Sequence, residues 1–257
     1  MPKKNKYGLD QFYTKPAVAR KCLETLNLGD YDTIIEPSAG EGVFLHMAQH
    51  ENKLGYDVEP KSNDIERADF LEKDLSFLNG KKVLFFGNPP FGRNSSLALK
   101  FVRKCCEYGD TVAFILPKGF KKRSMIDKIP LNFEIVMIED LEDDLFTFKG
   151  KDFMVPCVWV VIRKSDVLRE KEIKLRPTKF TFTNKENSNL AIRRVGINAG
   201  NVFTDVNVSE PSHYFLRVEN PNRAYELISQ LTFSSGDTTG PRSIPKNELI
   251  IKLDEIL

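Results

Sequence analysis

Histidine and cysteine are scarce in this chain, and both scarcities narrow its chemistry. There are three histidines, His46, His50 and His213, and four cysteines, Cys22, Cys105, Cys106 and Cys157, in 257 residues. No two cysteines have Cys-x-x-Cys spacing, so that metal or redox motif is absent. The four read as reduced thiols of an intracellular protein, in the cytoplasm, nucleoid or nucleus. His46 and His50 lie four apart on an expected helix, but no His-Glu-x-x-His pattern is completed and no metal is expected. No segment is apolar for long enough to cross a membrane. The basic N-terminus lacks the apolar stretch of a secretory signal. An excess of charge is missing too: 38 Lys and Arg against 36 Asp and Glu leave a formal net charge of +2. That balance neither announces nor excludes a polyanionic partner, because a local patch matters more than the sum.

What is present is a chain that can bury a core, with 41% hydrophobic and 29% charged residues,. In the first two thirds, short apolar runs alternate with helical stripes. Strands are expected over residues 31–35, 53–57, 65–68, 82–86 and 111–116, and helices over 16–26, from about Gly42, over 95–107 and over 121–128,. Two further runs, 133–138 and 155–162, have no helical pattern between them and read as an antiparallel pair,. The alternation predicts an α/β fold, a doubly wound, mostly parallel sheet with helices on both faces. From Ser165 the texture changes. Strand-like pieces at 179–183, 191–195 and 213–218 sit between Asn, Gly and Pro clusters, with one helix expected over 221–231. Two domains are therefore expected, 1–165 and 166–257.

Ligands of open α/β sheets bind beyond the carboxyl ends of the strands. The first such loop here is Glu36-Pro37-Ser38-Ala39-Gly40-Glu41-Gly42. It lacks the third glycine of Gly-x-Gly-x-x-Gly, which makes it a poor seat for a dinucleotide pyrophosphate. It suits S-adenosyl-L-methionine better. That cofactor has no phosphate and needs close backbone approach, carbonyls for its ammonium group and acids for its ribose. Gly40 and Gly42 supply the close approach. Asp57, about 20 residues on, ends the next strand, where an acid can hold ribose hydroxyls. Asp69 follows the third strand and can accept from an adenine amino group, with Phe70 against the ring.

Asn88-Pro89-Pro90-Phe91 directly follows a buried strand. An adenine amino group is a poor nucleophile, because its lone pair is delocalised into the ring. An Asn oxygen and a backbone carbonyl can each accept one of its N–H groups, favouring a tetrahedral nitrogen with a free lone pair. Proline has no N–H, so two prolines give a stiff loop rich in acceptors and poor in donors. Phe91 can stack on the target ring. Positioning supplies much of the rest. A cysteine nucleophile for ring-carbon methylation would require Pro-Cys at this place, and Pro156-Cys157 lies instead inside a late strand.

Taken together, these motifs resemble the class I methyltransferases, and most closely the gamma-type adenine-N6 DNA methyltransferases. The resemblance spans roughly residues 10–163 and is specific because several motifs occur in order. It implies a Rossmann-like sheet with an antiparallel end strand and a small C-terminal target-recognition part. By it, Gln11-Phe12-Tyr13-Thr14-Lys15-Pro16 is the N-terminal motif covering the methionine end of the cofactor, with Gln11, Tyr13 and Thr14 in contact. Glu36, Pro37, Ser38 and Gly40 are the first loop, Asp57 the ribose acid, Asp69 and Phe70 the adenine-contacting pair, and Asn88 to Phe91 the catalytic motif. The chain departs from the family in Lys15 between Thr14 and Pro16, in Phe91 where Tyr is common, and in a short C-terminal part.

The implied partner is nucleic acid, DNA first, and the base must be flipped out of a duplex before reaction. Phe146 and Phe148, expected in a loop, are candidates for a second aromatic face. Trp159 reads as core. Lys118, Lys121, Lys122 and Arg123, after the fifth strand, and Arg193 and Arg194, in the C-terminal part, are candidates for phosphate contacts. Methylation of RNA adenine, methylation of a protein glutamine amide, and a non-catalytic cofactor-binding role stay open as alternatives.

Overall fold

The computed structural model of the chain describes residues 13–141, 146–148, 151–153, 155–234 and 242–257, with the backbone alone at 147, 148 and 151–153. The chain divides into two compact units, Met1–Lys171 and Glu172–Leu257. In order, the strands of the first unit are β1 (Tyr13–Thr14), β2 (Thr33–Glu36), β3 (Lys53–Asp57), β4 (Glu66–Arg67), β5 (Val83–Gly87), β6 (Thr111–Pro117), β7 (Phe133–Asp140), β8 (Phe146–Phe148), β9 (Lys151–Phe153) and β10 (Cys157–Lys164). Its α-helices are α1 (Pro16–Leu23), α2 (Val43–Met47), α3 (Ser96–Tyr108) and α4 (Arg123–Ile126).

Seven of these strands form one sheet in the order β4-β3-β2-β5-β6-β10-β7. The pairs from β4 through β6 are parallel, and β10 runs antiparallel to both β6 and β7. This is the α/β, Rossmann-like sheet expected from the sequence, including its antiparallel end. Strands β2, β5 and β6 are buried at every position, which is why they read as unbroken apolar runs rather than alternating ones. Successive side chains still point to opposite faces. Val83 and Phe85 pack with α3, through Leu97, Phe101 and Val102. Leu84 and Phe86 pack on the other face, with Ala19 and Cys22 of α1 and Phe44 and Leu45 of α2. Trp159 is a core residue, 1% exposed, stacked 6.2 Å from Phe44.

The boundaries differ from expectation in ways the local chemistry explains. Helix α1 stops at Leu23, because the Thr25 hydroxyl turns back to donate to the Cys22 carbonyl at 2.7 Å and accepts the Trp159 indole N–H at 2.9 Å. The helix expected over 121–128 is broken into a 3-10 turn, Lys118–Lys121, and α4, because Lys122 between them is extended. Phe146 and Phe148 do not lie in a loop. They belong to β8, the centre of a three-stranded antiparallel sheet β1-β8-β9. All four cysteines are buried free thiols.

The second unit holds β11 (Thr181–Phe182), β12 (Leu190–Arg193), β13 (Val202–Phe203), β14 (His213–Arg217), α5 (Pro221–Ile228) and α6 (Lys246–Ile256). Its four-stranded sheet has the order β11-β14-β12-β13 and is antiparallel throughout. One face, with Leu190, Ile192 and Leu216, packs against Ala224 and Ile228 of α5 and Leu249, Ile250 and Leu253 of α6. No helix is expected from the sequence at α6, although Leu249, Ile250 and Leu253 stand at helical spacing. Among the described residues, no helix is long and apolar enough to cross a membrane.

Candidate functional site

The strand order places the site. From β2 the chain passes to β3 on one side, and β5 lies on the other. The loops leaving β2 and β5 therefore open into one crevice at the switch point.

The loop after β2 is held by its own side chains. Glu36 is 2% exposed, and its carboxylate accepts the Leu45 backbone N–H at 2.9 Å. Burial pushes its pKa well above the ordinary 4.5, although that hydrogen bond opposes the shift. Glu36 thus ties α2 to β2, with its charge desolvated. It also explains the glycine before Asn88. Gly87 has φ +123°, and a Cβ there would lie 3.0 Å from Glu36 Cγ. Only glycine lets β5 pass beside a buried glutamate.

Gly40 has φ +54°, and a Cβ there would meet the Tyr13 ring at 3.4 Å. Tyr13 therefore lies over Gly40, and Thr14 beside it is 8% exposed. Burial, then the charges of Glu41, Asp57 and Glu59, push the Tyr13 phenol up from 10.0. Asp57 Oδ2 accepts the Gly40 N–H at 2.8 Å, and Oδ1 accepts the Glu59 N–H at 2.7 Å. Each carboxylate oxygen keeps a second lone pair. Lys61 N–H donates to the Gly40 carbonyl at 2.9 Å. Pro37 is buried, and Ser38 bridges to the next loop, where its hydroxyl donates to the Asn88 carbonyl at 3.2 Å.

Asn88 follows β5, and its Oδ1 is buried with no hydrogen-bond partner. Pro89 and Pro90 carry no N–H to satisfy it. The Phe91 carbonyl accepts the Leu97 and Ala98 N–H groups at 3.1 and 3.2 Å, pinning the end of the loop to the first turn of α3. The Phe91 ring meets Phe146 edge to face, at 6.4 Å and 72°.

Other expected site residues fall differently. Asp69 caps the turn that follows it, accepting the Leu71 N–H on Oδ1 at 3.2 Å. Phe70 is a core ring, 2% exposed, stacked on Phe101 at 5.7 Å. Phe146 is fully buried, so it stands behind Phe91 rather than offering an open face. Sequence reasoning had no signal for that contact, which joins residues far apart in the chain. Gln11 lies outside the described residues, and of Phe148 only the backbone is described.

Lys118, Lys121, Arg123, Arg193 and Arg194 all have side-chain partners. Asp140 pairs with Lys118 at 3.5 Å and Lys121 at 2.9 Å, which lowers its pKa, the Lys121 hydrogen bond first. The backbone N–H of Lys122 donates to the Gly119 carbonyl at 3.1 Å. Arg123 pairs with Asp127 at 2.9 Å. In the second unit Arg193 donates to the Val195 carbonyl at 3.1 Å and Arg194 to the Pro211 carbonyl at 3.0 Å. The two histidines considered as a pair point to different partners: His46 to Asp64 at 2.9 Å and His50 to the Tyr31 carbonyl at 2.9 Å.

No family model matches the chain. Among known proteins it is 27% identical over 157 residues to Protein ENHANCED DOWNY MILDEW 2 of Arabidopsis thaliana, covering 56% of this chain and 12% of that protein's length. Among solved structures, a protein of Pyrococcus horikoshii described as a candidate RNA methyltransferase aligns at TM-score 0.44 and 20% identity, over 63% of this chain and 91% of the other. The 23S rRNA methyltransferase ErmE aligns at 0.46 and 18%, over 63% and 73%. A Thermoplasma acidophilum protein aligns at 0.46 and 15%, over 63% and 94%. The fold class stated above rests on this chain's own strand order.

Proposed function

We propose that the first unit transfers a methyl group from S-adenosyl-L-methionine to the N6 amino group of an adenine in DNA. One observation carries the reading: the buried Oδ1 of Asn88, without a partner, in a loop whose two prolines lack donors. A buried acceptor left unpaired costs about 1–3 kcal/mol. Such a cost is commonly retained where a ligand donor relieves it. An exocyclic amino group is a donor of the required kind. Asn88 Oδ1 takes one N–H and a loop carbonyl takes the other, which withdraws the lone pair from the ring and points it along one line.

The crevice residues fit the cofactor. When bound, S-adenosyl-L-methionine supplies a sulfonium methyl open to in-line attack by an amine. Gly40 permits close approach beside Tyr13, and Asp57 keeps lone pairs for ribose hydroxyls while it fixes Gly40. Glu36, Pro37 and Ser38 shape the loop, Thr14 sits beside Tyr13, and Asp69 marks the adenine end, with Phe70 acting from the core behind it. Phe91 offers its ring to the target base. Lys118, Lys121, Lys122 and Arg123, with Arg193 and Arg194 of the second unit, take phosphates. Exposed ion pairs are worth only about 0–1 kcal/mol, so a phosphate can displace the Asp140 contacts.

The test is to incubate the protein with methyl-labelled cofactor and, separately, unmethylated DNA, RNA or a protein extract, then digest and identify the labelled product. N6-methyladenine from DNA is the expected product. Label in RNA alone, or in glutamine alone, would reassign the substrate.

A further inference from the structure

We propose that Phe146 is a positioning residue. Through the β1–β8 pairing, it couples closure of Tyr13 over the cofactor loop to the placement of the Phe91 ring. The inference rests on the cofactor and target sites proposed above.

Three contacts form a continuous path within the first unit. Tyr13 lies over Gly40 of the loop after β2, where a Cβ would meet its ring at 3.4 Å. Tyr13 and Thr14 pair, antiparallel, with Thr147 and Phe146. Phe146, fully buried, sets its ring edge to face against Phe91. Phe91 is held from the other side by the Leu97 and Ala98 amides. Its backbone is therefore fixed, and the Phe146 ring is one of the groups packed around its side chain.

Among the described residues, the sheet making this path has two residues in β1, three in β8 and three in β9. A ligand seated beside Tyr13 adds contacts to β1, which favours the paired state of β1 and β8. Pairing then holds Phe146 behind Phe91. Reciprocity follows: a base stacked on Phe91 favours the same paired state and tightens the cofactor.

Hydrogen exchange tests this without turnover. Saturating S-adenosylhomocysteine is expected to slow amide exchange at residues 146–148 by about fivefold or more in the wild type. Tyr13→Ala is expected to lose that protection while keeping protection at 38–42. Protection confined to 38–42 and 57–59 in the wild type would overturn the coupling and leave the cofactor site standing. No protection anywhere would overturn both. A second measurement is the ratio of S-adenosylhomocysteine affinities with and without an adenine-bearing oligonucleotide. A ratio of about five or more is expected for the wild type and about one for Phe146→Leu. Leucine keeps an apolar side chain behind Phe91 but has no ring, so folding is expected to survive. A purely structural role for Phe146 would leave the ratio unchanged and sink the proposal.

Discussion

The carboxylate of Asp57 accepts the backbone N–H of Gly40 at 2.8 Å, so the acid at the end of β3 fixes the shape of the loop that ends β2. One residue thereby serves both the fold of the crevice and its expected ligand. Asp57→Ala removes both roles. Hydrogen bonds to a charged acceptor are worth about 1.5–3 kcal/mol, so cofactor affinity is expected to fall about 10–100-fold, measured by calorimetry. An unchanged affinity would remove Asp57 from the site.

Asn88 gives a prediction of opposite signs. Asn88→Ala is expected to abolish methyl transfer and leave cofactor affinity within about threefold of wild type. Removing a buried acceptor without a partner is also expected to raise unfolding free energy, by up to about 1–3 kcal/mol. Urea denaturation and a transfer assay on the same sample check both. Retained turnover would discard the catalytic assignment.

Glu36 sets a pH dependence. Its folded pKa lies well above the ordinary 4.5. Its favourable contribution is therefore complete below that ordinary value and is lost as pH rises through the folded pKa. Glu36→Gln keeps an acceptor for the Leu45 N–H and removes the charge. The variant is expected to be as stable as wild type near pH 4 and more stable at pH 8, by equilibrium denaturation at the two values. A parallel pH profile for the two proteins would contradict this.

Gly87→Ala tests the close passage of β5 beside Glu36. The left-handed φ and the 3.0 Å approach to Glu36 Cγ together are expected to cost more than about 1 kcal/mol. The loss should fall in both stability and transfer, because Asn88 moves with its neighbour. Gly119→Ala, where a Cβ would meet nothing within 4 Å, is the control and is expected to have little effect.

Asp140→Asn tests the basic turn after β6. Neutralising the acid that pairs with Lys118 and Lys121 is expected to strengthen oligonucleotide binding several-fold at low salt and to steepen its salt dependence. Fluorescence anisotropy at two ionic strengths reads both. Weaker binding would place the phosphates elsewhere.

Some of this molecule is determined by sequence alone. Strands buried on both faces appear as unbroken apolar runs, so β2, β5 and β6 and their order with the intervening helices were legible locally. The loops that follow them carry their own marks, Gly40 and Gly42 in one and Asn88 to Phe91 in the other. The antiparallel end pair followed from the missing helix between two runs. Tertiary structure decided what local pattern does not encode. The pairing of β1 with β8 joins segments more than a hundred residues apart, and no local periodicity marks it. An aromatic residue looks the same in sequence whether it faces a ligand or a core. Only packing made Phe70 a core ring, put Phe146 behind Phe91, and left Asn88 Oδ1 buried without a partner.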